Sequence, residues 1–156
     1  MQPLKELIAN PDVVMLDVVA SSREAALRTL HAELARQPGV IDADRLLRDV
    51  LERVMVAPVC IAAEVALPHA RTAAVDRIVL GVARLAAPGV GFDGEHPNIR
   101  LMFMIGTPRQ QVEEYLRLVA AISRLLRAPG ARDGLLAAKT EMEFRERLAR
   151  GDQDLL

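Results

Sequence analysis

The chain of 156 residues has little cysteine, few aromatic side chains and almost no net charge. Its one cysteine, Cys60, excludes an internal disulfide and a metal site built from a cysteine cluster. The formal net charge is −1, and basic residues are scattered among acidic ones, which argues against the basic surface of a nucleic-acid-binding protein. No apolar run approaches the roughly 18 residues that cross a bilayer. We therefore expect no nucleic-acid partner and no membrane insertion.

We also expect no secretory signal, because Lys5 and Glu6 are charged where such a signal has its apolar stretch. We accordingly expect a cytoplasmic protein. Apolar residues, by contrast, are abundant: 51% of the chain is hydrophobic and 26% is charged, which is enough for a sizeable core. No repeat, low-complexity tract or linker divides the sequence, so we expect residues 1–156 to form a single domain.

The apolar periodicity alternates between that of strands and that of helices. Apolar, β-branched runs predict strands over 13–19, 78–83 and 99–105, and a further apolar segment covers 59–67. The run over 99–105 is apolar on both faces, so it is expected to be central. Capping residues and helical spacing predict helices that begin at Ser21 with Glu24 as its capping-box partner, at Asp42, after Thr107-Pro108, and at Thr140 with Glu143. Strands separated by helices indicate an α/β fold in which helices cover a mixed sheet.

Three histidines are the first candidates for chemistry. His31 lies among charged residues of a predicted helix and is expected to be solvated, and His96 lies in a polar loop. His69 differs, because Pro68 stiffens the backbone before it and places it at the end of an apolar segment. A neutral ring nitrogen there could accept a phosphoryl group, and the charge of Arg71 could balance it. A structural, hydrogen-bonding histidine is the alternative.

Other kinds of site find no support in the sequence. It contains neither a glycine-rich phosphate loop nor a pair of histidines at the spacing of a zinc hydrolase. Its serines are explained by a helix cap and a helix face, and Cys60 lies in an apolar run typical of packing. We therefore expect no metal and no cofactor.

The segment Val65-Ala66-Leu67-Pro68-His69-Ala70-Arg71 resembles the active-site stretch of enzyme IIA domains of the fructose/mannitol and nitrogen-regulatory type, which belong to the bacterial phosphoenolpyruvate-dependent phosphotransferase system. The family pattern over these last six positions begins with alanine, followed by isoleucine or leucine. Proline and histidine come next, then glycine or alanine, and finally arginine or lysine. Further matches follow in the same order over about 140 residues. They are Leu51-Glu52-Arg53 at a helix end, Phe92-Asp93 in a loop, Ile99 to Phe103, Thr107-Pro108 before a long helix with Leu116, and Arg147-Leu148 in a closing helix.

The resemblance implies a mixed sheet of about five strands flanked by helices. It also implies a phosphotransferase component in which His69 is the phosphoacceptor and Arg53 stabilises its charge. A small histidine phosphocarrier protein would load His69. The phosphoryl group would then pass to a IIB domain in sugar uptake, or its presence would regulate a kinase or transporter. The regulatory role is the one that we favour.

The chain departs from the family pattern in three ways. Residues 59–64 contain neither the glycine nor the threonine that the family carries ahead of the Pro-His pair. Glu64 adds a negative charge, which would raise the pKa of His69 and oppose a phosphoryl group if it faces the site. Tyr115 stands where many members have a second histidine, and a phenol is a poor base at neutral pH. A non-catalytic enzyme-IIA-like module that binds a protein partner is therefore the alternative function.

Overall fold

The computed structural model describes residues 4–154 of the chain. The strands are β1 (Val13–Val18), β2 (Cys60–Ala62), β3 (Val65–Ala66), β4 (His69–Arg71), β5 (Val79–Leu85) and β6 (Leu101–Thr107). The helices are α1 (Leu4–Ala9), α2 (Arg23–Leu34), α3 (Ala43–Val56), α4 (Val112–Arg127), α5 (Pro129–Ala137) and α6 (Glu141–Asp154). No helix within 4–154 is long and apolar enough to cross a membrane.

The six strands form one mixed sheet in the order β1, β5, β6, β3, β2, and β4 also lies beside β6. Strand β1 is parallel to β5, and β3 and β4 are parallel to β6. The pairs β5–β6 and β2–β3 are antiparallel. The α/β fold with a mixed, helix-covered sheet is confirmed, and the predicted strands over 13–19, 78–83 and 99–105 correspond to β1, β5 and β6.

Strands β3 and β4 follow one line along β6 and are divided at Pro68. Ala66 pairs with Met102 and His69 pairs with Ile105, so the register is the same on both sides of the break. Pro68 has no N–H to donate, but its carbonyl accepts a hydrogen bond from the Ile105 N–H at 3.0 Å. The predicted apolar segment over 59–67 contains two short strands, β2 and β3, and the third short strand, β4, follows Pro68, so the sheet has six strands where about five were expected.

Strand β6 is buried on both faces, as the sequence predicts. Met102 and Met104 belong to the apolar cluster that includes the leucines of α2 and α3. Phe103 and Ile105 alternate with them and belong to the cluster on the opposite face, which includes residues of α4 and α6. Since both faces of the sheet are covered, polar side chains can gather only at the ends of its strands.

Helix starts depend on capping side chains that the sequence partly reveals. The predicted cap of α3 is confirmed, because Asp42 accepts a first-turn backbone N–H at 3.1 Å. The cap of α2 is Ser22 rather than Ser21, and its hydroxyl accepts the Ala25 N–H at 3.1 Å. Glu24 is therefore the second helical residue instead of the third, the position that a capping box requires.

Two helices are missed by the sequence pattern. Helix α1 has only six residues, too few to show a helical period. Helix α5 begins at Pro129, which reads as a stop for α4 but also suits the first position of a new helix. Helix α6 is capped as predicted: Glu143 donates its N–H to Thr140 at 3.1 Å, and its carboxylate reaches back to Lys139.

Candidate functional site

The ring of His69 is held at the first residue of β4. Its Nδ1 lies 2.7 Å from the carbonyl oxygen of Leu67, the residue before Pro68. A carbonyl oxygen can only accept a hydrogen bond, so we assign the proton of the neutral ring to Nδ1. The second ring nitrogen, Nε2, then keeps its lone pair and is the nucleophilic atom.

The surroundings of His69 favour the neutral ring. Burial of the side chain, which is 9% exposed, lowers the pKa of His69 below the usual 6.5. The hydrogen bond to Leu67 acts in the opposite direction, and the positive charge of Arg53 lowers the pKa further. An unprotonated nitrogen is therefore present at neutral pH.

Three arginines line the cleft that contains His69. This cleft is open, and its volume is about 1000 Å³. Arg53 comes from α3, Arg71 ends β4, and Arg109 lies between β6 and α4. Within the described residues, none of the three guanidinium groups forms a salt bridge with a carboxylate. The cleft therefore presents positive charge that can receive an anion.

Two carboxylates also line the cleft, and neither cancels that charge. Asp49 accepts a hydrogen bond from the Thr72 hydroxyl at 2.6 Å and lies 3.6 Å from Arg45, so it already has partners. Glu52, which like Asp49 belongs to α3, is exposed to solvent. Because a solvated carboxylate is screened by water, its influence on an anion in the cleft is small.

Tyr115 of α4 packs against the His69 ring. The two ring centroids lie 5.4 Å apart and the planes are tilted by 41°. Burial raises the pKa of Tyr115, and the positive charges of Arg53 and Arg71 lower it only in part. The phenol stays protonated at neutral pH, so it can pack and donate a hydrogen bond but cannot act as a base.

The structure brings four of the five sequence candidates together: His69, Arg53, Arg71 and Tyr115 all line the cleft. It does not bring Glu64 there. Glu64 lies in the exposed turn between β2 and β3, with a φ of 68°, and is not among the residues lining the cleft. Glycine adopts this left-handed conformation without strain. The shape of the turn, and not a contact between the backbone and a bound anion, therefore explains why a glycine would be favoured at this place.

Arg109 is a site residue that the sequence reasoning missed. Parallel strands bring their carboxyl ends to the same edge of a sheet, and Arg71 pairs with Thr107 at that edge. Arg109 follows two residues later, after Pro108. A cation directly after an apolar central strand was the available signal, but its use requires knowing that β4 and β6 are parallel neighbours.

The remaining two histidines lie outside the cleft. The expectation that His31 is solvated is wrong, because its ring is buried and its Nε2 is 2.8 Å from the Ala43 carbonyl oxygen. It thereby connects α2 to the start of α3. His96 lies in the connection between β5 and β6, with its Nδ1 2.8 Å from Asp93.

Comparisons with known proteins agree with this geometry. Residues 7–151 match the family described as phosphoenolpyruvate-dependent sugar phosphotransferase system, EIIA 2. The PTS system fructose-specific EIIA component of Haloferax volcanii is 31% identical over 140 residues, which are 88% of this chain and 90% of that protein.

Two solved structures have a similar fold. One is the nitrogen regulatory protein IIA-Ntr from Neisseria meningitidis, with a TM-score of 0.78, 20% identity and coverage of 94% of both chains. The other is the complex of enzyme IIAMTL and phosphorylated enzyme IIBMTL from Escherichia coli, with a TM-score of 0.70, 18% identity and coverage of 89% of this chain and 95% of that one. The family match, which spans nearly the whole described chain, and the strand-end histidine at its expected place lead to one conclusion: this chain belongs to the type 2 enzyme IIA family of the phosphoenolpyruvate-dependent sugar phosphotransferase system.

Proposed function

We propose that this chain is a phosphohistidine carrier that accepts a phosphoryl group at Nε2 of His69 from a histidine phosphocarrier protein. The observation that carries the proposal is the position of the His69 ring, whose Nδ1 lies 2.7 Å from the Leu67 carbonyl oxygen and which lines a cleft with three arginines free of carboxylate partners in the described chain. The proposal treats residues 1–156 as one IIA-type unit acting in the cytoplasm. It requires no metal and no cofactor.

The transfer step follows from the ring's hydrogen bond. The Nε2 lone pair attacks the phosphorus, the N–P bond of the donor breaks, and its electron pair returns to the donor's imidazole. The Nδ1 proton stays in place, donated to the Leu67 carbonyl, so the positive charge that develops on the ring is stabilised where it forms. Arg53, Arg71 and Arg109 offset the charge of about −2 on the phosphoryl group.

Protein partners would dock on the apolar rim of the cleft, which we define as Val56, Val112 and Leu116. Val56 is 78% exposed and Leu116 is 57% exposed, although both are large and apolar. An apolar rim around a charged centre is suited to a protein surface that excludes water during transfer. We propose that the phosphocarrier and a IIB domain bind this rim in turn. A regulated kinase or transporter would bind it if the chain acts as a regulator.

A second candidate function is a non-catalytic module that binds a partner through the same rim. The observation that favours it is the Tyr115 ring, 5.4 Å from His69, which helps to leave that side chain only 9% exposed. A ring that is largely covered offers little surface to a phosphocarrier. Phosphorylation of the purified chain distinguishes the two functions.

We expect the chain to gain one phosphate when it is incubated with phosphoenolpyruvate, enzyme I and a histidine phosphocarrier. Intact mass spectrometry should show the added phosphate, and mild acid should remove it, because an N–P bond is acid-labile. His69→Gln should abolish the label, and His96→Gln, outside the cleft, should retain it. An unlabelled wild-type chain would favour the binding module, and a label that persists in His69→Gln would refute His69 as the acceptor.

Arg53→Lys should slow phosphotransfer about tenfold while the melting temperature stays nearly unchanged. Lysine keeps the charge but lacks the planar fork, and loss of a charged hydrogen bond worth about 1.5–3 kcal/mol reduces a rate by tenfold or more. Arg48→Lys, an exposed position on the same helix, is the matched control. Quench-flow of the labelled phosphoryl group measures the rate. Equal rates in the two variants would show that Arg53 does not contact the phosphoryl group.

Leu116→Gln should raise the KM for the phosphocarrier about tenfold and change kcat little. A leucine that is buried against a partner stabilises the complex by up to about 1.5–3 kcal/mol, because its apolar surface is removed from water. A loss of about 1.4 kcal/mol weakens binding tenfold. Met142→Gln is the control, because Met142 is 72% exposed on α6 and does not line the cleft. If both variants keep the wild-type KM, the partner does not dock on this rim.

A further inference from the structure

A second group of reactive side chains lies outside the His69 cleft. Cys60 of β2 and Asp93 and His96 of the β5–β6 connection bring a sulfur, a carboxylate oxygen and a ring nitrogen within 4.8 Å of one another. None of the three lines the cleft around His69. The proposed phosphotransfer does not use them, so the cluster needs its own explanation.

The backbone fixes the two residues of the connection independently of their side-chain contact. Asp93 and His96 form a β-bridge, and the Phe92 N–H donates to the His96 carbonyl at 3.0 Å. Asp93 also accepts the Glu95 N–H at 2.8 Å, which closes a tight turn. Arg23 of α2 donates to the Phe92 carbonyl at 2.7 Å and ties this turn to the body of the fold. Both side chains are therefore held on the side that faces Cys60.

We propose that Cys60, Asp93 and His96 form a zinc-binding site. Thiolate, imidazole and carboxylate together are a ligand set that zinc accepts, whereas magnesium and calcium prefer oxygen ligands alone. Three protein ligands leave the fourth tetrahedral position to water. On binding, the Cys60 thiol releases its proton to solvent and His96 coordinates as the neutral ring. The two negative charges of Cys60 and Asp93 then balance the charge of the ion.

A reactive cysteine is the competing explanation, and the surroundings of Cys60 oppose it. Burial and the neighbouring Asp93 carboxylate raise the pKa of the thiol to about 11. Without a cation, the group is therefore a protonated thiol at neutral pH and a weak nucleophile. A divalent ion reverses this, because a coordinating thiol is deprotonated.

The site would add a bond through a metal ion to the existing contacts between β2 and the β5–β6 connection, where Cys60 packs against the apolar cluster that includes Phe92. It would fasten the edge strand β2 to the β5–β6 connection. Asp93 also lines a pocket of about 300 Å³ beside Val56 and Ala57, where the chain leaves α3. Val56 belongs to the rim of the His69 cleft as well, so a bound ion would stabilise the segment that follows Arg53. The zinc site does not depend on the proposed phosphotransfer.

The test is metal binding by the full chain after removal of metal with a chelator. Zinc should bind with a stoichiometry of one by isothermal titration calorimetry. Cobalt, as a spectroscopic substitute, should give a thiolate-to-cobalt charge-transfer band, which reports coordination by Cys60. Cys60→Ser and His96→Gln should each weaken zinc binding more than about 100-fold, because even changes around a ligand cost 10- to 100-fold. Cys60→Ser should also remove the band.

Two controls separate this site from other sources of binding. Glu95→Gln changes an exposed carboxylate in the same turn, and His69→Gln removes the histidine of the cleft; both should retain the wild-type affinity. Absence of saturable zinc binding by the wild type would overturn the proposal. So would binding that survives in His96→Gln, or binding that is lost in His69→Gln. If Cys60→Ser does not fold, His96→Gln still decides, because its side chain is part of a surface turn.

Discussion

The functional site depends on the hydrogen bond between the Leu67 carbonyl and Nδ1 of His69. Pro68 stands between the two residues, and the register along β6 continues from Ala66 to His69, so the ring is held next to the Leu67 carbonyl at the start of β4. The ring is thereby fixed in position and in tautomer by backbone atoms that belong to the central sheet. A nucleophilic nitrogen held this way costs little reorganisation at the moment of transfer.

The electrostatics of the cleft follow from which elements end beside His69. Parallel pairing of β4 with β6 brings Arg71 and Arg109 to one edge of the sheet, and the last turn of α3 adds Arg53. Burial of the ring and the positive charge of Arg53 both lower the pKa of His69, so they act together to keep the nucleophile unprotonated. Asp49 could weaken this field, but its carboxylate already accepts a hydrogen bond from Thr72 and lies 3.6 Å from Arg45.

The sequence predicts the fold and most of the cleft, and the failures have physical causes. The Leu67-Pro68-His69 segment and the apolar run of β6 depend on local chemistry, which a sequence shows directly. Arg109 could not be found because its proximity to His69 arises from strand pairing, which local patterns do not specify.

Two other residues differ from their predicted surroundings, each for its own reason. The direction of Glu64 depends on a left-handed turn, which its residue type does not announce. His31 reads as polar surface, but packing of α2 on α3 buries its ring against Ala43. The sequence therefore does not reveal the places of Arg109 and His31, where distant segments meet, or that of Glu64, whose local backbone conformation its residue type disfavours.

The most direct test of this account is NMR of the ring nitrogens of His69 in nitrogen-15-labelled protein, before and after phosphorylation. The account predicts an Nδ1–H tautomer in the free protein, a pKa below the usual 6.5, and phosphorus coupling to Nε2 in the phosphorylated form. Phosphorus on Nδ1, or a free ring protonated on Nε2, would contradict it, because the Leu67 carbonyl would then not determine which nitrogen reacts.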